Sequence, residues 1–159
     1  MTPAVYRAPM RSRDDDVVVQ ATIDRARRLG LCGFGGVLRP TPDDLESAIA
    51  LADKQFGARF GRRIARFADV AVGSLAWTRD TDGLFWLGRI EGPYFYDADG
   101  VAVDLVHVRA CVWLSTPVLE ADVPGAVIAT FGRGGRNFQQ THDAAVGPES
   151  LRIWKARRN

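Results

Sequence analysis

The stretch Ala71–Leu114 decides the fold. It reads AVGSLAWTRD (71–80), a short turn, LFWLGRIEGPYFYD (84–97), a polar turn with Gly100, and VDLVHVRACVWL (103–114). Branched and aromatic residues dominate each run, and such side chains suit a pleated, half-buried surface. VGSLAWTR, LFWLGRIEG and LVHVRACVWL are therefore expected as strands. Asp80-Thr81-Asp82-Gly83 offers a hairpin turn, and Asp97-Ala98-Asp99-Gly100 a second turn. The acids of the second turn lack the spacing and closing glutamate of a calcium loop.

Trp77, Trp86 and Trp113, three of the four tryptophans, fall in this stretch with Tyr94 and Tyr96, and Arg89 and Arg109 are interleaved with them. Strand side chains alternate faces, so these aromatics divide. Leu105, His107, Arg109, Cys111 and Trp113 share one face of the last strand. Val106, Val108, Ala110, Val112 and Leu114 share the other, which reads as core. His, Arg and Trp in register read as a site or an interface. Leu75 and Trp77 share a face of the first strand, while Trp86 lies opposite Phe85, Leu87 and Arg89. Several aromatics must therefore be core, and the rest are free to stack.

Upstream, residues 1–13 (MTPAVYRAPMRSR) show no periodicity and read as a flexible arm. A helix is expected from Asp15 to Leu29, capped by Asp14–Asp16 and stopped by Gly30. LCGFGGVL (31–38) is apolar and glycine-rich, but it lacks the strand-to-helix setting of a dinucleotide loop. Thr41-Pro42-Asp43-Asp44 starts another helix that ends at Gly57. A short helix over 60–68 follows, with Arg59, Arg62, Arg63 and Arg66 around Ile64 and Phe67. That cluster is either a solvated face or a phosphate-facing patch.

Downstream, Ala126–Phe131 reads as a strand or helical turn. Gly132-Arg133-Gly134-Gly135-Arg136 is a basic loop, Asn137–Gln140 a return strand, and Leu151–Trp154 packs back on the domain. A single domain over residues 14–159 follows the arm, since 159 residues suffice for one core and no linker or repeat interrupts them.

The totals exclude several classes. Hydrophobic residues make up 47% and charged residues 25%, which argues against a disordered chain or a coiled coil. The formal net charge of +2, with a pI near 8.8, permits nucleic-acid binding without demanding it. Cys32 and Cys111 lie outside any CxxC pair, so a disulfide framework is not implied and a cytoplasmic location is expected. No apolar run approaches the roughly 20 residues of a membrane span, so no membrane partner is expected.

Catalytic signatures are sparse. His107 and His142 belong to no metal-ligand cluster, so neither a metal nor another cofactor is expected. Ser74 lies outside a GxSxG elbow. Asp104 and Glu91 would pair only if the fold joined them. The expectation is a protein that is not an enzyme.

FADVAVGSLAWTRDTDGLFWLGRIEGPYFYD followed by VHVRACVWL resembles the PUA-like superfamily. The resemblance is to EVE- and YTH-like modules, as in the N-terminal domains of predicted modification-dependent restriction systems. It covers residues 30–140 and is carried by Phe67, by Val72-Gly73-Ser74-Leu75, by the run Leu87–Asp97 and by the run Val108–Leu114. LCGFGG resembles the glycine-rich strand of such modules, but has Gly36 near the place of their tryptophan. Ser74 stands where they carry an aspartate. Phe34 or Trp77 would then supply the stacking wall.

The resemblance implies an α+β fold, a small and mostly antiparallel PUA-like β-barrel with packed helices. It also implies a nucleic-acid-binding module that reads a modified base, in DNA rather than RNA, in restriction-modification or other defence. Phe34, Trp77 and Tyr94 would stack, with Tyr96 beside them. Arg89 and Arg109 would contact base edges or phosphate, and His107 and Trp113 would complete that face. Arg62, Arg63, Arg133 and Arg136 would steer phosphates. Cleavage would need a separate nuclease or effector. The alternatives are a non-enzymatic protein-interaction or regulatory module on the same barrel, and a small-molecule or nucleotide-binding protein.

Overall fold

The computed structural model describes residues 2–158. Met1 and Asn159, the outer ends of the expected arm and domain, lie outside the described residues. The elements are β1 (Val5–Arg7), α1 (Val19–Leu29), β2 (Leu31–Phe34), α2 (Leu45–Phe56), α3 (Ala58–Ala68), β3 (Leu75–Arg79), β4 (Phe85–Tyr96), β5 (His107–Trp113), α4 (Gly125–Gly132), β6 (Gln139–Gln140) and α5 (Val146–Arg157). Two 3-10 turns cover Ala98–Val103 and Glu120–Asp122. The sheet runs β2-β5-β4-β3-β1-β6. Its β1–β3 pair is parallel and its other pairs are antiparallel. β2 and β6 are its edges and do not pair, so this α+β domain has an open sheet rather than a closed barrel.

The β3–β4 hairpin forms where the sequence placed it. Asp80 organises the turn: its carboxylate accepts the amides of Asp82 and Leu84 and the indole N–H of Trp86, each at 2.9 Å. On β4, the register with β5 slips between Ile90 and Tyr94. Ile90 faces Cys111 and Tyr94 faces Arg109, so four steps of β4 oppose two of β5. Glu91-Gly92-Pro93 fills this bulge, a position that tolerates proline because no ladder amide is needed there. The bulge turns the end of β4 so that Tyr94 and Tyr96 pack against α2 and α3.

α1 begins at Val19, later than Asp15, because Asp14–Asp16 form a turn closed by the Asp16 amide on the Asp14 carboxylate. It stops at Gly30, whose φ of 67° closes the last turn back onto the Ala26 carbonyl. α2 takes its cap from Asp44 rather than Thr41, since Asp44 and Ser47 form a reciprocal capping box. α4 settles Ala126–Phe131 as helical.

The sheet divides the core. Leu75, Trp77, Phe85 and Leu87 pack under α4 and α5 with Val127, Ile153 and Trp154. Ala76, Ile90 and Cys111 face the other way, toward Ile23 and Ala26 of α1 and toward Ala8 and Met10. A third cluster joins α2 and α3 through Ala48, Ala52 and Ile64. Cys32 and Cys111 are free thiols and both are buried. Among the described residues no helix is long and apolar enough to cross a membrane.

Residues 5–10 are not an arm. β1 lies between β3 and β6, and Val5, Ala8 and Met10 are buried. The alternation of VYR was too short to register as a strand, because three residues carry little periodicity.

Candidate nucleic-acid interface

A cleft of about 1260 Å³ opens between the two sheet edges. The end of β2 (Phe34 to Val37) forms one side, and Tyr6 with the Arg136–Gln140 segment forms the other. α3 runs along it. Spacing of three and four puts Arg59, Phe60, Arg63, Arg66 and Phe67 on the helix face toward the cleft, while Ile64 faces α2.

The rim is basic. Seven arginines line the cleft, against three aspartates and no lysine or glutamate. Among the described residues, Arg136 alone of those seven has a carboxylate within salt-bridge range, Asp15 at 3.2 Å. Arg13 donates to the side-chain carbonyl of Asn137 at 2.9 Å. Burial, and then the charges of Arg13, Arg59 and Arg66, hold the half-buried Arg63 guanidinium below its ordinary range. Like charges gathered in excess of their counter-charges favour an anionic occupant.

The floor is aromatic. Phe34 meets Phe60 edge-on at 6.0 Å and Phe67 at 5.0 Å. Phe67 meets Phe138 at 4.8 Å, and Phe138 stacks on Tyr6 at 4.9 Å. Gly36 is required here. Its φ is 119°, and a Cβ on it would sit 2.5 Å from the Phe60 ring. Phe60 thus occupies the space that a side chain at position 36 would take. Asp104 closes the end of the cleft, accepting the Gly36 amide at 2.9 Å and the Ser12 hydroxyl at 2.5 Å.

Behind Gly36 sits His107, 0% exposed. Its Nε2 is 2.8 Å from the Gly36 carbonyl, which can only accept, so the proton is on Nε2. Nδ1 then accepts from the Tyr94 hydroxyl at 2.8 Å. Burial lowers the His107 pKa to about 4, against smaller raising effects of the Gly36 carbonyl and Asp104. The ring is neutral, and both nitrogens are engaged. Burial pushes the Tyr94 hydroxyl pKa up. This trio holds the glycine segment in place and presents no free polar atom to a ligand.

Of the residues expected from sequence, Phe34, Arg63 and Arg136 line the cleft. The others lie elsewhere. Trp77 is 0% exposed, with its indole N–H on Ser150 at 3.0 Å. Arg109 is 2% exposed and donates to the carbonyls of Phe67 and Val70, both at 2.9 Å, and to Gly92. It ties the C-terminal end of α3 to the sheet, where a cation is favoured. Arg89 pairs with Glu91 at 2.6 Å and lies over Trp154. Trp113 donates to the Leu31 carbonyl at 2.9 Å. Tyr96 accepts from the Leu38 amide at 3.0 Å. Arg62 and Arg133 are exposed away from the cleft. The expected His107–Arg109–Trp113 site face is therefore interior structure. Val112, on the face read as core, is 51% exposed.

Sequence reasoning missed Tyr6, Phe60, Phe67 and Phe138 as cleft residues, whereas it grouped Arg59 and Arg66 with Arg63 as a basic patch. The pairing of Phe60 with Phe67 at helical spacing, beside that arginine cluster, was the available signal. Tyr6 and Phe138 had none, since they meet only through the β1–β6 pairing. Asp104 and Glu91 are not brought together: Asp104 bonds Ser12 and Gly36, and Glu91 bonds Arg89. Among the described residues no group of three or more His, Cys, Asp or Glu side chains is placed to hold a metal.

No known protein family matches the chain, and no curated protein does. Among solved structures, the chain is similar to a protein from Agrobacterium tumefaciens at 11% identity and a TM-score of 0.39, over 96% of this chain and 92% of that one.

Proposed function

We propose that the chain is a nucleic-acid-binding module with a PUA-like fold, reading a base in the cleft between its sheet edges. The observation that carries this is the row of arginines without carboxylate partners above an aromatic floor. Cations of this kind bind phosphates, and half-exposed rings accept bases by stacking. The corner made by Phe34, Gly36 and Phe60 is the base site, and Asp104 at its end is an acceptor for base amino groups. A modified base, and DNA rather than RNA, remain part of the reading through the sequence resemblance alone. So does a separate nuclease or effector acting in defence. The protein binds and does not catalyse; its cytoplasmic location rests on its two free thiols.

The test is a fluorescence-anisotropy screen of DNA and RNA oligonucleotides, unmodified and carrying base modifications, at rising salt. Binding weakens with salt, and Arg59→Glu with Arg63→Glu abolishes it at moderate salt. Absence of binding to every oligonucleotide at low salt sinks the reading and leaves a protein-interaction module. A second reading, a free-nucleotide binder, draws support from the cleft volume, which exceeds the need of one base. Crystals soaked with free nucleosides and nucleotides distinguish it.

A further inference from the structure

The cleft contains two aromatic stations. Phe34 and Phe60, both half-buried, make one. Tyr6 and Phe138, also half-buried, make the other as a stacked pair with planes 15° apart. Phe67 is buried and divides them, 5.0 Å from Phe34 and 4.8 Å from Phe138. α3 runs in the same direction. Phe60 in its first turn belongs to the first station, and Phe67 in its last turn is the divider. Seven residues of α-helix rise about 10 Å. Arg59, Arg63 and Arg66 climb through that same rise on the cleft side. One phosphate cannot engage charges spread over about 10 Å, whereas a backbone carrying two or more can.

Resting on the reading of this cleft as a nucleic-acid interface, we propose that its ligand is a single strand lying along α3. Two of its bases occupy the two stations, and its phosphates follow the Arg59–Arg63–Arg66 row. In a duplex the base faces are stacked on one another, so neither station can be filled without extrusion. A duplex with one flipped base fills one station and leaves the other empty. A single strand offers both bases at no such cost, and a groove with a charged wall and aromatic platforms is the arrangement that exploits it. DNA and RNA share this chemistry and differ at the 2′-OH.

The test is competition anisotropy on the full chain with a mononucleotide, a tetranucleotide, a single-stranded 12-mer and the same 12-mer as duplex, each as DNA and RNA. The single strand should bind at least tenfold tighter than the duplex, and the tetranucleotide at least tenfold tighter than the mononucleotide. Phe60→Leu and Phe138→Leu should each weaken the single strand by roughly fivefold to hundredfold. Arg152→Glu on α5, an exposed position outside the cleft lining, should change nothing. Thermal melting checks each variant; if Phe138→Leu unfolds, Arg66→Gln, an exposed position at the same end of α3, reads that end instead. Equal binding of duplex and single strand, or a mononucleotide that competes as well as the tetranucleotide, overturns the two-station track but leaves nucleic-acid binding standing. No binding of any oligonucleotide at low salt overturns both.

Discussion

Two buried polar side chains, His107 and Arg109, hold the cleft without entering it. His107 makes a measurable pH signature. Its folded pKa of about 4 lies below the ordinary 6.5. Between those values the unfolded chain takes up a proton that the folded chain refuses, so stability falls as pH drops from 6.5 toward 4. Above that window the contribution is full and constant. Between pH 7 and pH 5 the cost is about 2 kcal/mol. Urea denaturation at these two pH values should show that loss in the parent protein and its absence in His107→Gln. Arg109→Met leaves the carbonyls of Phe67 and Val70 without their donor, and should cost roughly 2–4 kcal/mol of unfolding free energy. Sequence alternation correctly put both residues on one face of a strand. It could not tell that this face is covered, because the covering groups come from far along the chain. Gly36 is 71 residues from His107, and Phe67 is 42 from Arg109. An arginine satisfied by backbone carbonyls looks, in one dimension, like an arginine waiting for a ligand.

α3 is the element in which sequence and site agree best. Its arginine cluster was visible as a basic patch, and the structure puts three of its four arginines on the cleft. Arg62 is exposed outside the cleft lining, although its spacing from Arg59 and Arg66 is of the same kind as that of Arg63. Each of Arg59→Gln, Arg63→Gln and Arg66→Gln should therefore weaken oligonucleotide binding. Each should also flatten the dependence of log affinity on log salt by about 0.7 for a single strand. Anisotropy titrations at several salt concentrations measure both effects. The strands of the Ala71–Leu114 region were legible because their branched residues and the Asp80 turn act locally. The bulge at Glu91–Pro93 was not, since a register slip is a property of two strands, and it redirects Tyr94 and Tyr96 into the helical layer.

At the scale of the molecule, the segment read as a loose arm is a structural strand. β1 separates β3 from β6, and its Arg7 gathers the carbonyls of Thr130 and Gly134 at 3.1 and 2.8 Å and the Gln139 side chain at 3.0 Å. Arg7 thereby fixes the loop that carries Arg136 and Phe138. Arg7→Ala should raise hydrogen exchange across residues 133–139 while leaving the β3–β4 hairpin protected. Removing residues 2–10 should abolish the cooperative thermal transition seen by circular dichroism, since both sheet cores lose side chains. The β1–β6 pairing also has a consequence for synthesis. Tyr6 is made 134 residues before its strand partner Gln140. Before β6 is synthesised, α1–α3 and the β3–β5 meander can assemble, but one wall of the cleft cannot. The cleft is thus completed only after its basic helix α3 is already made.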